Sequence, residues 1–155
     1  MTIELKRRLR DSESLSRVTR HVSLLTLLLA LSLRLCRLDH VDLRGDEAFD
    51  ILYAAQPLAE VIRNDLCCQA YPPLNHTALH YWLLIAGRSE FAYRFLFGAA
   101  PGVLAVALVY RLARELFPRT AARIAALLAA VSPFLVWWSQ DGHFYSGLTA
   151  FSAAI

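Results

Sequence analysis

An all-α, polytopic membrane fold is what this sequence predicts, and three observations predict it. The first is composition: 57% of the 155 residues are hydrophobic and only 19% are charged. A soluble domain is nearer half apolar and a quarter charged. The second is that the apolar residues gather into runs of spanning or near-spanning length. The third is the placing of basic residues between those runs, as orientation signals are placed. Lys6, Arg7, Arg8, Arg10, Arg17 and Arg20 form one cluster, and Arg111, Arg114, Arg119 and Arg123 a second. With a net charge of only +3 and no RNA- or DNA-binding motif, a nucleic-acid partner is not expected.

Residues 1–21 read as a basic cytoplasmic N-terminus. The first apolar run, Val22 to Leu38, is about 17 residues long, the lower limit for a spanning helix. Arg34 and Arg37 near its far end can snorkel to the headgroups. No small-x-small cleavage site follows, so the run reads as an uncleaved span rather than a signal peptide. Further spans are expected over 91–112 and 121–138 and from 145 onward through Ile155.

The stretch 39–90 holds no spanning run. Ala48 to Ala55 and Leu58 to Leu66 suit short amphipathic helices, and Tyr71-Pro72-Pro73 breaks the chain before the apolar run Leu74 to Ala86. At about 13 residues that run is too short to span. Both basic clusters belong on the cytoplasmic side, so an even number of crossings separates them. Leu74 to Ala86 is therefore expected to be a juxtamembrane helix in one outer loop, 39–90, with Asp46, Glu47 and Asp141 on the same outer face. Residues 22–155 then form one domain, and an incomplete one, since Leu148 to Ile155 carries no stop signal. Cys36, Cys67 and Cys68 make an odd count without metal-type spacing, and no role is assigned to them.

Four groups of residues can carry chemistry. Asp46-Glu47 follows Arg44-Gly45; the pair suits an N-terminal helix cap, with Asp46 accepting backbone N–H bonds, or a base or metal ligand beside a polar substrate. His76 follows the Pro72-Pro73 turn, with His80 one helical turn on. They suit metal or phosphate contact, or interfacial histidines beside Tyr81 and Trp82, and no third zinc ligand is near. Glu90 and Arg94 have the spacing of a local helix pair, and Arg94 turned inward suits a lipid phosphate. Gln140, Asp141, His143 and Tyr145 are densely polar for a short connection after Trp137-Trp138, and polar groups at membrane depth are functional candidates.

In order, these groups resemble the amino-terminal part of the polytopic glycosyltransferases that use lipid-phosphate-linked sugars. The nearest resemblance is to the glycosyltransferase 39-like group of GT-C fold, with its protein O-mannosyltransferases and aminoarabinose transferases. The motifs are Asp46-Glu47, Pro72-Pro73-Leu74, Gly87-Arg88-Ser89-Glu90-Phe91 with Arg94, and Ser139-Gln140-Asp141 with Tyr145. The resemblance implies transfer of a sugar from a polyprenyl-phosphate donor to a hydroxyl of a lipid, glycan or protein acceptor at the outer membrane face. It implies Asp46 as the base that deprotonates the acceptor, and Glu47 and Asp141 as residues that orient the site or help hold a divalent metal. Arg94, with Arg34, would pair with the donor phosphate; Gln140, His143, Tyr145 and His76 would line the substrate site. Two departures stand out: His143 where the family commonly has arginine, and Gly142, which is expected to loosen its position. Family members are several times longer, so the chain reads as their front end. Two rival readings are a non-catalytic membrane fragment or accessory subunit, and part of a transporter, although transporter sites lie nearer the bilayer midplane.

Overall fold

The computed structural model describes residues 21–40, 42–67, 73–143 and 145–155. The N-terminal basic cluster, Cys68, Tyr71 and Pro72 lie outside the described residues. Every regular element among those described is helical. In order they are α1 (His21–Leu35), α2 (Gly45–Ala54), α3 (Leu58–Cys67), α4 (Pro73–Ala86), α5 (Glu90–Arg94), a π segment (Phe95–Ala99), α6 (Ala100–Leu116), α7 (Arg119–Val131), α8 (Pro133–Ser139) and α9 (Tyr145–Ala154).

One continuous helical stretch, Glu90–Leu116, is long and apolar enough to cross a membrane. A second crossing requires α7 and α8 to be taken together, and α1 is apolar but shorter. The outward faces of these helices carry leucines and aromatics such as Leu25, Leu28, Leu104, Leu128, Leu148 and Phe151, all exposed. A soluble monomer rarely shows that much apolar surface.

Two cores hold the helices. In the first, Ile51 of α2, Leu79 and Leu83 of α4 and Tyr93 of α5 pack together. In the second, Ala30 of α1, Val106 of α6 and Ala126 and Ala130 of α7 meet. Alanines on facing helices let backbones approach closely, the usual means of helix association where lipid offers no hydrophobic gradient.

The apolar run 121–138 is not one straight helix: α7 and α8 meet at a 55° bend. Pro133 supplies the cause, since it has no N–H to give the Ala129 carbonyl and Ser132 leaves the helical region at ψ 118. Carbonyls orphaned in buried surroundings need donors. Arg34 provides them, its Nη1 lying 3.2 Å from the Ala130 carbonyl and its Nη2 3.5 Å from that of Ala129. Its Nε donates to Ser139 Oγ at 3.1 Å. Arg34 is only 1% exposed; instead of snorkelling to headgroups it caps the broken helix. Room for it depends on Gly102, where an added Cβ would meet Ser139 Oγ and stand 2.8 Å from Arg34 Nε.

Helix α1 ends in a matching way. Gln140 Nε2 donates to the carbonyls of Leu33 at 3.0 Å and Cys36 at 2.9 Å, tying the end of α1 to the connection that follows α8. The next residue, Arg37, has φ 60, a left-handed conformation that glycine usually supplies at a helix end.

Candidate active site

The adjacent carboxylates of α2 have opposite environments. Glu47 is 1% exposed and accepts four hydrogen bonds. Arg94 Nη2 and Nε donate to its two oxygens at 2.7 and 3.1 Å. The amides of Arg44 and Gly142 donate at 3.0 and 2.8 Å. Burial would raise its pKa, but the Arg94 bonds, the two amides and the Arg94 charge outweigh that and hold Glu47 below the usual carboxylate range. The Asp46 side chain is 59% exposed. Its Oδ1 accepts the Glu47 amide at 3.0 Å, and its Oδ2 lies 3.1 Å from His143 Nε2.

Asp46 does accept a backbone N–H, as expected of a cap, but other contacts differ from expectation. The carboxylate that reaches back to the N-cap amide, as in a capping box, is that of Glu47; Asp46, one residue earlier, is open to solvent. Arg94 does not close on Glu90 as a local helix pair but spans the fold to Glu47. It also donates to the carbonyls of Leu38 at 3.0 Å and Asp42 at 3.2 Å, so one guanidinium fastens α5 to α2 and to the chain leaving α1.

The connection after α8 closes over this pair. Asp141 Oδ2 accepts from Arg44 Nη1 at 3.0 Å, and Asp141 Oδ1 lies 2.9 Å from His143 Nδ1. Tyr145 packs at a tilt of 57° against Trp138, with ring centroids 4.4 Å apart. The π segment brings Gly98 against this connection, where an added Cβ would stand 2.8 Å from the Asp141 carbonyl. Gly142 does not loosen the site as expected from sequence. A Cβ there would run into the Tyr93 ring and come within 2.7 Å of Glu47 Oε1. Gly142→Ala is accordingly expected to destabilise the fold by at least the ~1–3 kcal/mol typical of overpacking. A thermal melt of the detergent-solubilised variant checks this, and an unchanged Tm would mean that Tyr93 moves aside freely.

His76 is not an interfacial histidine: it is 1% exposed. Its Nδ1 lies 2.8 Å from Asp65 Oδ1 and its Nε2 3.5 Å from Asp50 Oδ1. Burial pulls its pKa down, but the bonds and charges of Asp50 and Asp65 win and raise it. Asp50 Oδ2 in turn accepts from Tyr93 OH at 2.8 Å. His80 turns elsewhere, its Nδ1 lying 2.8 Å from the Ala54 carbonyl. Asp50, Asp65 and Tyr93 were not singled out from the sequence. Asp50 had a signal, since it stands one helical turn past Asp46-Glu47; Asp65 and Tyr93 gave none.

The donor set does not fit a divalent metal. Both oxygens of Glu47 face Arg94, and those of Asp141 face Arg44 and His143, so cations or N–H groups occupy the directions a metal would need. Among the described residues no group of three His, Cys, Asp or Glu side chains is arranged to hold one. A cavity of about 100 Å³ does open beside the pair, lined by Arg37, Leu38, Arg44, Glu47, Arg94, Trp137, Gln140 and Asp141. Arg37 and the half-exposed Arg44 stand at this cavity.

The described residues thus form an apolar, α-helical chain with a buried carboxylate–arginine pair beside a cavity that carries arginines. A family profile described as dolichyl-phosphate-mannose-protein mannosyltransferase matches residues 70–154, more than half of the chain, and the chain belongs to that family. The match covers Arg94, Asp141 and His143; Asp46 and Glu47 precede it. Comparison with curated proteins and with solved structures gives no match.

Proposed function

We propose that the chain is an integral membrane glycosyltransferase segment of GT-C type, in which Asp46 is the general base. The sugar, mannose by the family's description, passes from a polyprenyl-phosphate carrier to a hydroxyl of an acceptor such as a protein. The single observation that carries this reading is the division within the pair: Glu47, at the wall of the arginine-bearing cavity, is buried in an ion pair, while the side chain of Asp46, the residue before it, is 59% exposed. A base must reach the proton it takes, and of the two only Asp46 is placed to do so. In this reading the N-terminus is cytoplasmic and the Asp46 surface faces outward, where lipid-linked donors present their sugars.

The donor phosphate sits at Arg37 and Arg44. Arg94 and Arg34, the arginines the family resemblance suggests for it, are engaged with Glu47 and with main-chain carbonyls; Arg94 forms part of the cavity wall instead. As the bond from anomeric carbon to phosphate oxygen breaks, charge grows on the phosphate, and fixed guanidinium groups stabilise it. Trp137, exposed at the cavity rim, offers an apolar surface to the first isoprene unit.

Arg37 supplies the test. Its left-handed backbone costs about 1–3 kcal/mol that glycine would not pay. Arg37→Gly is therefore expected to raise Tm while raising the KM for dolichyl-phosphate mannose roughly tenfold or more, the worth of one charge-assisted bond. Mannose transfer in membranes, followed against donor concentration, reads the second effect. An unchanged donor KM would remove Arg37 from the phosphate site.

A further inference from the structure

His143 lies between two carboxylates, with Nδ1 at 2.9 Å from Asp141 Oδ1 and Nε2 at 3.1 Å from Asp46 Oδ2. Asp141 is fixed, since its other oxygen accepts from Arg44. A neutral imidazole carries one N–H. The buried carboxylate of Asp141 accepts only, which puts that hydrogen on Nδ1 and leaves a lone pair on Nε2 facing Asp46. Two acceptors at 3.1 Å need a proton between them. Either the imidazole is charged, or Asp46 carries the proton, which is the state Asp46 reaches once it has deprotonated an acceptor.

We propose that Asp46, His143 and Asp141 form a proton relay in which His143 takes from Asp46 the proton that the acceptor hydroxyl gives up. The relay rests on the reading of Asp46 as base. The acceptor oxygen bonds to the anomeric carbon as the carbon–oxygen bond to the lipid phosphate breaks, and that bond's electron pair leaves with the phosphate. The hydroxyl proton moves to Asp46 Oδ2 and on to His143 Nε2. The resulting imidazolium stands between two carboxylates, and the phosphate leaves with one more negative charge. His143 is a positioning residue here, because it meets the substrate only through Asp46.

The carboxylates facing His143 set the sign. Asp141 stands on its own connection, Asp46 and Asp50 on α2, the Tyr145 ring on α9 at 5.8 Å, and Arg44 behind Asp141. Burial lowers the His143 pKa, but the Asp141 hydrogen bond and the charges of Asp141, Asp46 and Asp50 outweigh it and raise it. Below that raised value the imidazolium cannot accept a proton and also pins Asp46 in an ion pair. Transfer should therefore rise with pH through a value above the ~6.5 of a free histidine.

The test is kcat against pH for the full chain in membranes with dolichyl-phosphate mannose, wild type beside His143→Gln and His143→Arg. Both variants should lose the rising limb and fall at least about tenfold in kcat above it, with donor KM nearly unchanged, since a positioned proton acceptor contributes about 10²–10⁴. Retention of the limb by either variant overturns the relay. Wild-type transfer without such a limb also overturns it while leaving the base reading intact. No transfer by wild type at any pH overturns both. Independently of activity, NMR titration of labelled histidine should show the His143 pKa falling in Asp46→Asn, and an unmoved pKa overturns the coupling.

Discussion

Replacing Arg94 by alanine is expected to lower stability by about 3–5 kcal/mol, because it leaves a buried carboxylate without its counter-charge. Glu47 is 1% exposed and cannot recover the loss from water. Two amides would still reach it, those of Arg44 and Gly142, but neither carries a full charge. The Leu38 and Asp42 carbonyls would lose donors at the same time. For a chain of this size the change corresponds to a Tm lower by roughly 6 °C or more in detergent. Glu47→Gln should also destabilise, since it leaves the guanidinium buried without its carboxylate partner. A melt within about 2 °C of wild type for both variants would show that the pair contributes little net stability, as some buried pairs do.

The second large effect is on rate and not on stability. Asp46→Asn is expected to lower kcat for sugar transfer by about 10²–10⁴, the usual contribution of a positioned proton acceptor. Asparagine keeps a carbonyl oxygen for the Glu47 amide, which Asp46 Oδ1 accepts at 3.0 Å, so the first turn of α2 is retained. What is lost there is a charge near a helix N-terminus, worth about 0.3–1 kcal/mol when exposed. A fall in transfer with Tm nearly unchanged thus separates a base from a cap. Parallel losses in transfer and Tm would reduce Asp46 to a structural residue.

Much of the helical framework was legible because it rests on local rules. The apolar run 74–86 coincides with α4, the turn at Pro57 with the start of α3, and the polar group after Trp138 with the connection that closes the site. The bend between α7 and α8 was signalled by Pro133 but hidden by the apolar composition on both sides of it. The partners of the arginines were not legible at all. Arg94 has Glu90 one helical turn away, yet it reaches Glu47 because a buried pair far apart in sequence gains more than an exposed neighbour does. Arg34 looked like a snorkelling residue, and only the broken helix beside it explains why it stays inside. Gly142 read as slack for the same reason: the Tyr93 ring that fills its side comes from another helix.

In the proposed function Asp46 and Glu47 are neighbours with opposite duties, one working on the substrate and one holding the fold. Mannose transfer from dolichyl-phosphate mannose and thermal unfolding, measured on the same preparations of Asp46→Asn and Glu47→Gln, test that division most directly. The expected result is that Asp46→Asn melts like wild type but transfers at no more than about one-hundredth of its rate, while Glu47→Gln melts well below it. Near-wild-type transfer by a folded Asp46→Asn would contradict the account.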